Sequence, residues 1–518
     1  MPSLPRTLPR ICVALGLPTA NQLQRAAERE YKDGSTFLEF RLDYLPDPAA
    51  GIDVLRKFRK TYPDAYVLAT CRHADASGYF KGSIEKQVEI LEEALRAGAT
   101  FVDLEIESVE KAKRAVCALR ELGPVCLSYH NFEKTPALDP VLRRMRKYEA
   151  DAYKIAITAR KPSDNLRLIE FAHEPHERPL ICLAMSEIGL ASRILVAPLG
   201  SLFTYAAPMA ESGTAPGQIA AKLMRGLYRS EKLTKATRVY GVIASPVAHS
   251  KSPLIHNRAF HARRVDAVYL PFLVPVLQLP DWMKFAAALP VQGFSVTIPH
   301  KQSILRHLDV VAPLAKRIGA VNTVWRKSGK WRGTNTDAEG VVKPLGKHLR
   351  LPHSSILIAG YGGAARAAAI ALSDASAEIT VTGRNMKKAQ ALAAAAKGEA
   401  ITVREAAARH FDALVHATPL GMTPNVDGCL FNDGIPADVV LDMVYNPRET
   451  ALLKRAAEQG LTVIPGIEML LEQAAHQFEI WTGETAPRAV MREALGTCRG
   501  VGRCGIIKAY EDDGGVTR

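Results

Sequence analysis

Residues 354–375 read SSILIAGYGGAARAAAIALSDA: an apolar run, a turn with glycine at 360, 362 and 363, then an alanine-rich stretch without proline. A short apolar run ending in glycine suits a buried strand, and alanine is the best helix former. A second strand, EITVTGR, follows at 378–384. Gly360, Gly362 and Ala365 meet the dinucleotide fingerprint with alanine in its last place, and Gly363 and Ala364 lie within the same turn. Between a strand and a helix, such a turn aims backbone N–H groups and the helix N-terminus at a pyrophosphate. A tight turn without ligand is the competing reading.

The end of the second strand selects the cofactor. An NAD site places an acid there for the ribose 2′-hydroxyl, but this chain has Arg384, Lys387 and Lys388. A guanidinium and two ammonium groups fit a 2′-phosphate, so NADP(H) is expected.

Working outward, the chain of 518 residues is too long for one core. A polar stretch near 232–238 precedes a new strand, VYGVIA, which places a boundary near residue 235. Before it, eight short apolar runs recur: ICVALGL, FLEFRLDYL, YVLATCR, TFVDLEIE, VCLSYHNF, DAYKIAITA, PLICLAMS and SLFTYAA. Helix-like stretches such as EKQVEILEEALRAGA separate most of them, and this alternation suits a closed (β/α)8 TIM barrel, with QIAAKLMRGLYRSEKL as its last helix. The expected fold is α/β throughout. It comprises a barrel over 1–235, a substrate-binding lobe over 236–340 completed by about 466–495, a Rossmann-like lobe over 341–465, and a loose tail over 496–518.

In a barrel, chemistry sits at the C-terminal strand ends. Glu39, Arg41, Arg72, Glu105, His130 and Lys154 fall there or near there. A lysine inside an apolar strand is costly unless it is paired or reactive, and a desolvated amine attacks a ketone to give an imine. His130 is the natural base for a proton α to the resulting iminium, with Glu105 to orient its ring, and Arg41, Arg72 and Arg193 suit a carboxylate. Taken singly, each residue also has a dull reading as a snorkelling lysine or a satisfied histidine.

LEFRLD, the DLE of VDLEIE, SYHNF, the lysine of YKIAIT, MSEIGLASR and SGTAPGQ together resemble, in order, the motifs of type I 3-dehydroquinate dehydratase over residues 10 to about 230. The resemblance implies Lys154 as the Schiff-base lysine, His130 as general acid and base, and Glu105 as its partner. It implies substrate contacts from Glu39, Arg41, Arg72, Arg193, Thr214 and Gln218. The chain departs from the family in the loop HADASGYFKGS, at Ala14 and at Thr214.

In the second half, SPVAHSKSPLIHN, GFSVTIPHK, GAVNT and GTNTDAEG precede the glycine turn. Ser250 and Ser252 can donate to one carboxylate, and Lys301 with Asp337 can shuttle the proton that accompanies hydride transfer. With HATPLGM, DMVYNP and GIEMLLEQAAHQF, these segments resemble shikimate dehydrogenase over 239 to about 495. That implies Lys301 and Asp337 as a catalytic pair and Ser250, Ser252, Thr297, Asn322, Tyr445 and Gln473 as substrate contacts. Met443 and Gly466 would lie near the nicotinamide, and Thr382, Arg384 and Lys388 near the adenosine phosphate. Tyr361 replaces the usual small residue of the glycine turn.

The two resemblances imply consecutive steps, from 3-dehydroquinate through 3-dehydroshikimate to shikimate. A degradative quinate or shikimate dehydrogenase and a non-catalytic sensor are the alternatives. The net charge of +14 is dispersed among acids, which argues against nucleic acid. No run reaches the roughly 18 apolar residues of a membrane span, and no Cys/His cluster has metal-site spacing. The start, MPSLPRTLPRICVALGL, is read as no targeting peptide, and eight scattered cysteines suit reduced thiols in a cytoplasm.

Overall fold

A computed structural model describes residues 3–209 and 213–496, so that all but the first residue of the expected tail lies outside the described residues. Spatial proximity divides the chain into two units, 1–237 with 270–290, and 238–269 with 291–518. Segment 270–290 departs from the contiguous lobe expected over 236–340. Its helix Leu279–Ala288 carries Asp281, which accepts a 2.7 Å hydrogen bond from the Ser163 N–H in the first turn of helix Pro162–His173.

In the first unit the eight runs form strands: β1 Ile11–Leu15, β2 Phe37–Arg41, β3 Tyr66–Thr70, β4 Phe101–Glu105, β5 Val125–His130, β6 Ala152–Thr158, β7 Leu180–Met185 and β8 Thr204–Ala206. Their order is β7-β6-β5-β4-β3-β2-β1-β8, all paired in parallel. The Leu202 N–H, just before β8, donates to the Leu180 carbonyl at 2.7 Å, which brings the last strand back beside β7 in a nearly closed barrel. Helices such as Ala20–Lys32 and Ile84–Arg96 bury one apolar stripe each against the outside. The final helix is shorter than expected, Ala221–Gly226, and Arg229, three residues on, takes the left-handed region at φ 49° and leads into a 3-10 turn over Ser230–Lys232.

Side chains two apart on a strand share a face, and this parity layers the barrel interior. Phe37, Phe101, Cys126, Ala152 and Phe203 fill an apolar layer. Two residues farther along each strand come Glu39, Asp103, Ser128 and Lys154, and two farther again Arg41, Glu105, His130 and Ala156. The polar layers therefore stand on an apolar floor and point toward the C-terminal mouth.

The second unit contains most of a mixed sheet and the whole of a parallel one. Strands β9 Arg238–Ala244, β10 Ala267–Leu273, β11 Val291–Val296, β12 Val310–Val311, β13 Thr323–Lys327 and β14 Lys330–Thr334 lie in the order β10-β9-β11-β13-β14-β12, with β13 and β14 an antiparallel hairpin. Strands β15 Ser355–Ala359, β16 Glu378–Thr382, β17 Glu399–Ala400, β18 Phe411–His416, β19 Ala437–Asp442 and β20 Thr462–Ile464 form the parallel sheet, β17-β16-β15-β18-β19-β20. Apolar side chains pack on both of its faces, as a doubly wound sheet requires. Helix Gly466–Thr482 crosses helix Asp337–Leu345 closely: a Cβ on Gly340 would stand 3.0 Å from the Met469 carbonyl.

Candidate active sites

The barrel mouth opens into a cavity of about 210 Å³ whose wall includes Glu39, Arg41, Arg72, His130, Lys154, Thr214 and Gln218. Lys154 is 4 % exposed, and its Nζ lies 3.0 Å from Asp103 Oδ2 and 4.3 Å from the ring centre of Tyr205. Asp103, fully buried, also accepts from Ser128 Oγ at 2.7 Å and faces Arg72 at 3.5 Å. Burial opposes the Asp103 charge, but Lys154 and Arg72 outweigh it and hold the carboxyl below its usual range. The lysine that sequence reading took as a desolvated amine is thus half of a buried ion pair. Asp103 lies mid-strand rather than at a strand end, two residues before Glu105, and strand parity aims it inward.

Glu39 accepts from Thr70 Oγ1 at 2.7 Å, and Arg41 grips Asp43 with two hydrogen bonds of 2.8 and 2.9 Å. Burial, with Arg72, Lys154 and Arg41 nearby, drives His130 well below the usual histidine range, so its imidazole is neutral near pH 7. Its ring stacks on Phe132 at 6.0 Å. The expected Glu105–His130 hydrogen bond is not made: Glu105 Oε1 accepts from the His73 N–H, Gln87 Nε2 and Ser108 Oγ, while Glu105 Oε2 and His130 Nδ1 are buried without partners. Three donors hold the carboxylate to the loop after β3 and to neighbouring helices. Arg193 also departs from expectation. It is fully buried outside the cavity wall, donating to the Pro216 carbonyl at 3.0 Å with Nε and Nη1 unpartnered, and burial pushes it down to about 10. Thr214 and Gln218 sit on that same loop, where Gln218 Oε1 accepts from the Thr214 N–H at 2.7 Å.

In the second unit a cavity of about 170 Å³ is lined by Ser250, Ser252, Thr297, Lys301, Asn322, Asp337, Tyr445 and Gln473. Lys301 Nζ and Asp337 Oδ2 are 2.5 Å apart, and Asn322 Nδ2 donates to Asp337 Oδ1 at 2.8 Å. Asn322 is in turn fixed by the Thr336 N–H at 2.8 Å and by Thr323 Oγ1 at 2.7 Å. Ser295 and Gln477 belong to the same wall, where the Tyr269 hydroxyl donates to Ser295 and Ser295 donates to Gln477 Oε1. These two links were missed by sequence reading, as all three residues lie mid-element.

Ala364, Met443 and Gly466 line the same cavity, and a Cβ on Gly363 would be 3.7 Å from Lys301, so the glycine turn abuts the polar pair. Gly360 has φ +126°, and a Cβ there would stand 2.8 Å from the Ala417 carbonyl, which only glycine tolerates. Helix Gly363–Asp374 begins at this turn, and a Cβ on Gly362 would meet open space. Thr382 Oγ1, at the end of β16, is fully buried without a hydrogen-bond partner, and Arg384 and Lys388 follow it exposed. A dinucleotide with a 2′-phosphate fits this set: backbone donors for the diphosphate, an unsatisfied hydroxyl, then cations. Beside the turn, His416 is held between Asp442 at 2.9 Å and Thr418 at 2.5 Å, tying β18 to β19.

Comparison with known proteins follows this division. A type I 3-dehydroquinase model matches residues 11–235, and models of the shikimate dehydrogenase substrate-binding domain and the shikimate 5′-dehydrogenase C-terminal domain match 242–324 and 466–495. Residues 355–446 match an NADP oxidoreductase, coenzyme F420-dependent model. The NADP(+) shikimate dehydrogenase of Bacillus subtilis is 42% identical over half of this chain and 96% of its own. A Thermus thermophilus shikimate dehydrogenase solved with NADP(H) and shikimate is 35% identical, covering 50% of this chain and 98% of its own at a TM-score of 0.47. The chloroplastic bifunctional 3-dehydroquinate dehydratase/shikimate dehydrogenase of Arabidopsis thaliana is 33% identical over 92% of this chain and 83% of its own length. With that match running through both halves, the chain belongs to the bifunctional 3-dehydroquinate dehydratase/shikimate dehydrogenase family, a shikimate-pathway lyase joined to an NADP-dependent oxidoreductase.

Proposed function

We propose that residues 1–235 dehydrate 3-dehydroquinate through an imine on Lys154 and that residues 236–495 reduce the product at Lys301 and Asp337. The observation that supports the first part is the Lys154–Asp103 pair beneath a cavity walled by a neutral His130. Lys154 gives one ammonium proton to His130, its amine adds to the substrate ketone, and His130 returns that proton as the carbinolamine hydroxyl leaves as water, giving an iminium on Nζ. His130 removes a proton from the α carbon, and that electron pair passes into the iminium to give an enamine. The electrons then return to expel the β-hydroxyl, which leaves as water with the proton from His130. Hydrolysis of the new iminium releases 3-dehydroshikimate and restores the lysine. Asp103 balances the cation at Nζ as ammonium and as iminium alike, Glu105 anchors the loop after β3, Glu39, Arg41, Arg72, Thr214 and Gln218 orient the substrate, and Arg193 holds the loop that carries Thr214 and Gln218 through the Pro216 carbonyl.

In the second half Ser250 and Ser252 donate to the substrate carboxylate, while Thr297, Asn322, Tyr445 and Gln473 hold its ring. NADPH, when bound, supplies the hydride. Lys301 gives the proton to the carbonyl oxygen and takes one back from solvent, and Asp337, fixed by Asn322, holds Lys301 in position and favours its charged form. Gly360, Gly362, Gly363, Ala364 and Ala365 cradle the diphosphate. Thr382, Arg384 and Lys388 take the adenosine phosphate, and Met443 and Gly466 flank the nicotinamide. We place the enzyme in a reducing, cytoplasmic compartment without nucleic-acid partners, a reading supported by six free cysteines among the described residues. No helix among them is long and apolar enough to cross a membrane.

Borohydride treatment with 3-dehydroquinate, followed by peptide mapping, tests the first half: a reduced adduct on Lys154 is expected, and a folded protein with none refutes it. For the second half, Lys301→Ala is expected to lower kcat by about 10²- to 10⁴-fold, whereas a change in KM alone would remove its catalytic role.

A further inference from the structure

The residue that breaks the pattern of the glycine turn, Tyr361, is built into the basic turn after β16. A Cβ on Gly383 would stand 2.9 Å from two ring atoms of Tyr361, so the ring lies against a backbone that only glycine leaves bare. Lys388 Nζ stands over the same ring, 5.7 Å from its centre. Lys388 is exposed and sits in the first turn of helix Met386–Ala395, where its N–H donates to the N-cap Asn385 at 3.1 Å. An exposed lysine is otherwise free to sample many rotamers, and a ring face restricts it through cation–π attraction.

We propose that Tyr361, seated on Gly383, is a positioning residue for recognition of the cofactor 2′-phosphate. It keeps the Lys388 ammonium beside Arg384, and so sets the preference for NADP over NAD. This rests on the reading that the turn after β16 takes that phosphate. The test is calorimetric binding to the full chain of two fragments, adenosine 2′,5′-bisphosphate and adenosine 5′-monophosphate, with the affinity ratio as readout. Tyr361→Ala is expected to lower the ratio by about threefold to fivefold, Tyr361→Phe to keep it, and Gly383→Ala to lower it by displacing the ring. In a Lys388→Ala background Tyr361→Ala should have no further effect. An unchanged ratio, equal weakening of both fragments, or loss with phenylalanine as well would overturn the proposal. Arg384→Ala separates the two failures. If it leaves the ratio intact, the phosphate reading itself is wrong; if it alone lowers the ratio, only the role of Tyr361 is lost.

Discussion

Replacing Asp103 by asparagine keeps the shape and an acceptor for Ser128 while removing one charge. Two unit charges 3.0 Å apart attract by about 5 kcal/mol at an effective dielectric near 20, and the Arg72 contact at 3.5 Å adds a comparable attraction. The carboxylate's own desolvation offsets part of this, so the net loss should match that of breaking a buried pair, about 3–5 kcal/mol. Because Lys154 and Arg72 both keep their places in the barrel wall, the cost falls on the barrel. Hydrogen exchange followed by mass spectrometry reads it directly: amides of peptides covering 101–105 and 152–158 should lose protection by on the order of a hundredfold to a thousandfold. Asp103→Asn combined with Lys154→Met should recover part of the loss, since Arg72 is then the one buried cation of the two left without its counter-charge. Protection within about threefold of wild type in the single variant would refute the reasoning and show that the pair contributes no net stability.

Because burial and three cations hold His130 neutral well below the usual histidine range, the acid limb of dehydratase kcat/KM should lie below pH 6.5, and a limb at or above 6.5 would contradict its role as base. His256, fully buried against Tyr269 at 4.5 Å, is pushed down to about 3 by burial from an ordinary 6.5. Between those values the unfolded state binds the proton and the folded state does not, so stability is lost as pH falls, by about 2 kcal/mol at pH 5 from this group. Urea unfolding followed by tryptophan fluorescence should show that slope in wild type and a shallower one in His256→Phe. An equal slope in both would assign the acid sensitivity elsewhere.

The barrel was legible because eight apolar runs alternate with amphipathic stretches, and the nucleotide lobe because Gly360, Gly362 and Ala365 fall between a strand and a helix. Lys154 announced itself as a charge among apolar neighbours. Asp103 did not, since an acid in VDLEIE reads equally as a strand end, and only the 3.0 Å contact inside the barrel shows it meeting that lysine. The Glu105–His130 link failed for a similar reason: which donor a carboxylate finds depends on the loop after β3 and the helix that carries Gln87.

By itself the sequence determined the element order, the two kinds of sheet and the residue types for imine and hydride chemistry, because periodicity and glycine placement act over a few neighbouring residues. Tertiary structure alone decided the counter-ion of Lys154, the burial of Arg193 outside the cavity wall and the seat of Tyr361 on Gly383. Those are contacts between residues far apart in the chain. Their energies depend on distance and dielectric, which exist only once the strands have closed and water has left.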